Sequence, residues 1–443
     1  MNDAIGKKHT YASLLIFLLP TIAMQIILSL YTIVDGMFVS RFVSTTAVSA
    51  INICLPIIYV YTGIGSMLGV GGSSVVSILL GEGKREEANR VFGLVILLAV
   101  FFWALVAIIC NLFLSPLHIL VGASESVLPY CNEYGGILYT VCIGYITKCL
   151  LDYFIVVAGK PKLGVINSIM GAIVNIVMDY VLIVELDMGI AGAAIGTFLG
   201  NIAPCLFSLW ILSKPGLSIQ LKKPLISWEM IWSVLRNGFS QFVTYVAIGI
   251  TTYLFNILSM KYAGDMGVAA MTIVMYIQFI TISLHTGFSG GIMPLISFQF
   301  GADNLEGLQR IFKQAIVLLV AVCSVAFVII QVLNPVFVNV FVNRGEVLYD
   351  MSLRGMNIAN FGFCFAGVNV FASSLFAGLN NGKMSTFLST VRNFVFVLLG
   401  MMILPALFEL DGVWLVFDFA EVLSILVGIP CIIYCNSKYH YIK

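Results

Sequence analysis

Apolar residues run in blocks along the whole chain, and polar residues are confined to the short breaks between them. The blocks fall near residues 13–34, 50–80, 91–114, 134–157, 163–186 and 191–212, and then near 235–259, 266–300, 311–333, 356–379, 384–408 and 413–434. Each has the roughly twenty residues that a helix needs to cross a hydrocarbon layer. The pattern predicts an all-α polytopic membrane protein with twelve transmembrane helices. The first block is too long for a signal-peptide core and has no small-residue cleavage site after it, so it is expected to remain as a helix of the mature chain.

Composition agrees. Of 443 residues, 60% are hydrophobic and 10% charged, whereas a soluble domain carries about 25% charged residues. The net charge of +1 offers no basic field for nucleic acid. Ten cysteines (54, 110, 131, 142, 149, 205, 323, 364, 431 and 435) lie mostly inside the apolar blocks, without a C-x-x-C pair or a nearby histidine cluster. They are expected to be small buried residues, not disulfides or metal ligands.

Lysine and arginine give the orientation. With the N-terminus inside, the inner segments hold seventeen: Lys7, Lys8, Lys84, Arg85, Arg90, Lys160, Lys162, Lys214, Lys222, Lys223, Arg236, Arg310, Lys313, Lys383, Arg392, Lys438 and Lys443. The outer segments hold four, Arg41, Lys261, Arg344 and Arg354, and Lys148 falls inside a helix. Both termini are therefore expected to be cytoplasmic, with the protein in the cell membrane.

The longest hydrophilic stretch, residues 213–236, follows the sixth block. It divides the chain into an N-terminal six-helix bundle (1–212), a cytoplasmic linker (213–234) and a C-terminal six-helix bundle (235–443). The halves repeat. GEGKREEANRVF (81–92) lies over GADNLEGLQRIF (301–312) at an offset of 220, VSAINI (48–53) lies over VAAMTI (268–273) at the same offset, and AGKPK (158–162) and AGLNNGK (377–383) occupy equivalent loops. An even number of spans per half makes the repeats parallel, related by an axis along the membrane normal, with a central cleft between them. That is transporter architecture.

Within the blocks, ionisable residues are the functional candidates, because one at the bilayer centre costs about 2.5–3.5 kcal/mol on insertion scales. Asp35 ends the first helix near the outer side. Asp179 lies in the outer part of the fifth, Asn175 one turn deeper on the same face, and Thr197 in the outer part of the sixth. Two carboxylates, a carboxamide oxygen and a hydroxyl form an all-oxygen set suited to a hard monovalent cation. The same carboxylates, brought close, would share a proton. A purely structural alternative has Asn175 and Thr197 bridging helices by hydrogen bonds.

LYTIVDGMFVSRFVSTTAVSAINI (30–53), the loop beginning at Gly81, VNIVMDYVLIV (174–184) and GIAGAAIGTFLG (189–200) resemble the multidrug and toxic compound extrusion (MATE) family of the MOP flippase superfamily, over essentially the whole chain. The resemblance implies a V-shaped, cation-coupled antiporter that exports amphipathic, often cationic, small molecules by alternating access, a transporter and not an enzyme. It implies a coupling-ion site for Na+ or H+ at Asp35, Asn175, Asp179 and Thr197, and a kink-forming proline at Pro20. A bend there is physically reasonable, since proline removes one helix hydrogen bond.

The second half departs from many members of that family, because residues 238–259 contain no acidic side chain. Candidates for ion or substrate contact there are Asp418 and Glu421 on one face of the twelfth helix, His285 in the eighth, and the polar or adaptable Gln241, Tyr245, Asn256, Met275, Gln278 and Asn369. Lys148 and Asp152, one turn apart, are expected to form an internal ion pair. Phe, Tyr and Met are plentiful, at 32, 18 and 18, and suit flat lipophilic cations. The glycines at 63–72 sit mid-helix without a preceding strand, which excludes a dinucleotide loop; G-x-x-x-G at Gly65 and Gly69 instead permits close helix contact. No G-x-x-x-x-G-K-[ST] loop exists, so ATP is not expected as a partner; no cofactor beyond the coupling ion is expected, and the protein is expected to be a monomer among membrane lipids. The alternative is a flippase for lipid-linked oligosaccharides of the same superfamily, against which the twelve spans and few inward arginines count. A diphosphate-using membrane enzyme would need a DDxxD-like cluster, and none is present.

Overall fold

The structure is a computed structural model that describes residues 9–43, 45–214, 217–224 and 226–442, with the side chains of 31–41, 45, 46, 48, 49 and 265 outside the description. It is helical throughout. The first half comprises α1 (Tyr11–Phe42), α2 (Thr45–Gly81), α3 (Arg85–Leu112), the short α4 (Leu114–Leu120), α5 (Leu128–Val141), α6 (Ile143–Val157), α7 (Pro161–Asp179) and α8 (Gly189–Leu212). The second comprises α9 (Trp228–Gly301), α10 (Leu305–Phe341), α11 (Val347–Ala359), α12 (Phe363–Gly378), α13 (Gly382–Thr390) and α14 (Phe396–Tyr439).

Among the described residues, the helices resolve into the twelve spans that the apolar blocks predict. Helix α9 is 74 residues long but reverses at Gly264 (φ 59°, ψ −152°), giving two spans, Trp228–Gly264 and Met266–Gly301. The continuous segment Gly382–Tyr439 has 58 residues, which at 1.5 Å per residue is far too long for one crossing. It reverses at Glu409 (φ 51°, ψ −126°), and beyond the turn Val416 and Phe419 lie against Gly400. Two further spans are bent pairs, α5 with α6 at 50° and α11 with α12 at 51°. The seventh span starts at Trp228, seven residues earlier than the apolar block beginning at 235. The segment before it is strapped to α3. Gln220 N donates to Asn89 Oδ1 at 2.8 Å, Lys222 pairs with Glu86, and Arg85 donates to the Leu217 carbonyl.

The repeat is visible in the backbone. Bent pairs fall at the fourth and tenth spans, and π-helical turns at the fifth (Tyr180–Glu185) and eleventh (Val391–Val395). Positive φ recurs at matching breaks: Gly83 with Asp303, Gly122 with Gly345, Gly159 with Asn380, Gly189 with Glu409. Chain reversals are therefore kept even where the second half carries a side chain. Asp and Asn tolerate the left-handed region by bonding locally, but Glu does not, and strain of this type costs on the order of 1–3 kcal/mol. Glu409→Gly is expected to raise the thermal unfolding midpoint of the purified protein; an unchanged or lower midpoint would contradict this account of the turn.

Contacts between the halves obey a pseudo-twofold axis. A β-carbon at Gly81 would strike the Phe298 carbonyl, and one at Gly301 would strike the Ile78 carbonyl; shifting each residue by 220 exchanges the two contacts. The same operation relates Gly71 against Gly238 to Gly291 against Leu18. Glycine at these points lets backbones touch. The two bundles are thus sealed together near the ends of the second and eighth spans, beside the loops at 82–84 and 302–304.

Candidate functional site

In the first bundle, α7 presents Gly171, Asn175 and Asp179 at four-residue spacing, so they form one stripe. Facing it is a second stripe on α8, Gly192, Gly196, Gly200 and Pro204, at the same spacing. The two fit because three of these four α8 positions are glycine. A β-carbon at Gly200 would lie 2.7 Å from Asn175 Cβ, one at Gly171 would lie 2.7 Å from the Gly200 carbonyl, and one at Gly196 would overlap Asp179 Oδ1. Asn175 is 0% exposed and Asp179 1%. Both amide atoms of Asn175, and the hydroxyl of the adjacent α8 residue Thr197, are buried without a hydrogen-bond partner among the described residues. The α helix gives way to a π-helical turn immediately after Asp179, a local irregularity often found at functional sites.

Asn175 makes no helix-bridging hydrogen bond among the described residues. A carboxamide that merely bridged helices would have its partner in place, and an unsatisfied buried amide costs about 1–3 kcal/mol. The arrangement instead presents uncommitted oxygens next to a buried carboxylate, the chemistry that takes up a monovalent cation or a proton. The side chain of Asp35 lies outside the described residues. Pro20 sits inside α1 as expected, and next to it Thr21 Oγ1 donates to the Leu18 carbonyl at 2.7 Å. Gly196→Ala is expected to push the Asp179 carboxylate aside and to lower transport by about tenfold or more, equivalent to ~1.4 kcal/mol. Gly136→Ala, whose new methyl would meet nothing nearer than 3.4 Å, serves as the control and should leave transport unchanged.

Of the second-half candidates, the structure brings Glu421 and Asn369 into direct contact. Glu421 is already fully engaged. Arg392 Nε donates to both of its oxygens at 2.9 and 3.0 Å and Nη2 to Oε1 at 2.6 Å, while Asn369 Nδ2 donates to Oε2 at 2.7 Å. The side chains of Arg392 and Glu421 are 10% and 15% exposed. Arg392 therefore does not belong among the inner-loop cations with which it was counted: it lies within the eleventh span, in the π-helical turn. The sequence signal was its position inside the apolar block 384–408, and its partner was hidden 29 residues away. Asp418 Oδ1 accepts from the Gly362 backbone amide, the N-cap of α12, and so secures the bend of the tenth span. His285 is buried against Gly367, with both ring nitrogens lacking a hydrogen-bond partner among the described residues. Gln278 is buried, and Gln241, Asn256 and Met275 are half-buried. Tyr245 lies against Gly63 of the first half. The expected pair of Lys148 with Asp152 is present at 3.1 Å. Among the described residues, no cluster of His, Cys, Asp and Glu has the geometry of a bound metal centre.

Two pseudo-symmetric six-helix bundles in a multi-pass membrane chain, with buried polar side chains between apolar helices, define a membrane transporter. A family model described as MatE matches residues 20–181 and 241–402, two stretches that start 221 residues apart, close to the internal repeat. The chain belongs to the MatE family, the efflux transporters that its motifs resemble. Among its relatives, the multidrug export protein MepA of Staphylococcus saprophyticus is 22% identical over 412 residues, covering 92% of this chain and 89% of its own length. A crystal structure of MATE in complex with MaL6 superposes with a TM-score of 0.93 at 19% identity, covering 99% of both chains. A multidrug resistance MATE family transporter in its outward-facing conformation superposes with a TM-score of 0.90 at 20% identity, covering 98% of this chain and 97% of that one.

Proposed function

We propose that this protein is a secondary active multidrug exporter that expels amphipathic or cationic small molecules in exchange for Na+ or H+, by alternating access of two six-helix bundles. The observation that carries the reading is the buried Asn175 and Asp179 stripe packed on the glycines of α8. Burial of a carboxylate beside uncommitted oxygens is costly unless an ion is bound there during the cycle. Asp35 is proposed to complete that site from α1, and Thr197 from α8. Na+ and H+ are both compatible with such a donor set.

Lysine and arginine distribution supports cytoplasmic termini. On that orientation the glycine contacts at Gly81 and Gly301 close the inner end of the molecule. An ion entering from outside would reach the outer half of the first bundle, and its binding there would bias the bundles toward closing outside and opening inside. The sequence contains no phosphate-binding loop of the Walker type, which supports an ion gradient as the energy source. The test is ethidium efflux from cells expressing the protein, with and without sodium and with the proton gradient intact or collapsed. Export that stops when one of these ions is removed supports the proposal and identifies the ion; accumulation identical to that of empty cells would overturn it.

A further inference from the structure

Lys148 and Asp152 lie on α6, in the inner half of the first bundle and on a different helix from the Asn175 and Asp179 stripe. Both are 4% exposed. Lys148 Nζ is bound to Asp152 Oδ2 at 3.1 Å, and Asp152 Oδ1 is buried with no hydrogen-bond partner among the described residues. A carboxylate offers about four acceptor positions, so this one is only partly used. The pair is placed at a junction of the two bundles. Asp152 lines a small cavity together with Thr21, Met24 and Gln25 of α1, the neighbouring Tyr153, and Thr286 of the eighth span. The Tyr153 ring fills the space above Gly290 of the second half, where a β-carbon would meet it at 3.3 Å.

Packing needs alone do not explain such a pair. Two charges removed from water are seldom a net gain in stability over apolar residues of similar size, and within one helix, lysine preceding the acid by four residues is the less favourable order. The surroundings are those of a receptor for an organic cation: a carboxylate with one oxygen uncommitted, an aromatic ring beside it, a methionine that adapts its shape, and hydroxyl and amide groups. Asp152 is five residues from the end of α6, about 8 Å at 1.5 Å per residue, so separation of the bundles at the sealed end would expose this cavity.

We propose that Asp152 is the inner receptor for the cationic group of the exported compound, and that Lys148 is a tethered cation that competes for the same carboxylate. When the bundles part at the inner end, an incoming lipophilic monocation takes the place of the lysine ammonium on Asp152. When they close there, Lys148 returns to the carboxylate, as it stands in this structure, and the compound is released toward the opposite side. This inference rests on the efflux reading and deepens it.

The experiment measures binding of tetraphenylphosphonium, and of its uncharged counterpart triphenylphosphine oxide, to the purified full-length protein, alongside ethidium efflux from cells. Asp152→Asn is expected to weaken phosphonium binding by about tenfold or more and to leave binding of the oxide unchanged. Lys148→Gln is expected to do the reverse for the cation, tightening it several-fold, because the competitor is gone. Loss of both ligands to the same extent in both variants would make the pair purely structural and overturn the proposal. Unchanged phosphonium binding in Asp152→Asn, with ethidium export by the wild type intact, would overturn this inference alone. A wild type that neither binds phosphonium nor exports ethidium would overturn the efflux reading and this inference with it. If Asp152→Asn does not fold, Lys148→Gln decides: tighter cation binding supports the proposal, and weaker or unchanged binding overturns it.

Discussion

Asp179→Asn is expected to reduce ethidium efflux to the level of cells without the protein, at equal abundance in the membrane. The substitution preserves the shape of the side chain and its fit to the gap above Gly196, so the α7–α8 packing should survive. What it removes is the charge. A neutral amide neither attracts a monovalent cation strongly nor takes up a proton near neutral pH, so the inward ion step loses its driving interaction. Asn175→Ala should act in the same direction but less severely, because it deletes one neutral donor and leaves the carboxylate. Full efflux by Asp179→Asn would remove this residue from the coupling site.

The second large effect concerns stability, in the other bundle. Removing Arg392 leaves Glu421 inside the protein with only the Asn369 amide bonded to it, and breaking a buried pair by deleting one partner costs about 3–5 kcal/mol. Arg392→Met is therefore expected to lower the unfolding midpoint sharply, and Glu421→Met to do much the same. The double substitution to methionine should recover most of the loss, since no buried charge is then left alone. Thermal unfolding of the four proteins in one detergent provides the measurement; additive losses in the double variant would show that the two side chains act independently. Satisfaction of Glu421 by an arginine of its own bundle also explains how the second half tolerates a carboxylate at that position.

Much of this architecture is legible in the sequence because lipid imposes simple rules. Span number follows from the length of apolar runs, and the structure reaches twelve because the backbone leaves helical geometry and reverses at Gly264 and Glu409. The offset of 220 predicted a pseudo-twofold relation, and the exchange of contacts at Gly81 and Gly301 obeys it. Four-residue spacing placed Asn175 and Asp179 on one stripe. The glycine stripe of α8 that receives them was quoted in GIAGAAIGTFLG, yet its packing role is a property of the facing pair of helices and not of either one. The role of Arg392 was hidden for the same reason. A charge near the inner end of an apolar block looks like a loop residue until a partner on another span is seen to reach it. Likewise Asp418 reads as a candidate for ion or substrate contact, and only the bend between α11 and α12 reveals the backbone amide it holds.

The central claim is that ion entry at the Asn175 and Asp179 stripe drives export. Its most direct test is ethidium transport by the purified protein in vesicles free of any nucleotide, with a sodium gradient or a pH gradient imposed across the membrane. The account predicts dye movement against its own gradient only while one of those ions flows the opposite way, and none with Asp179→Asn under either gradient. Uphill dye movement by the wild type with both gradients absent, or undiminished movement by the variant, would contradict it.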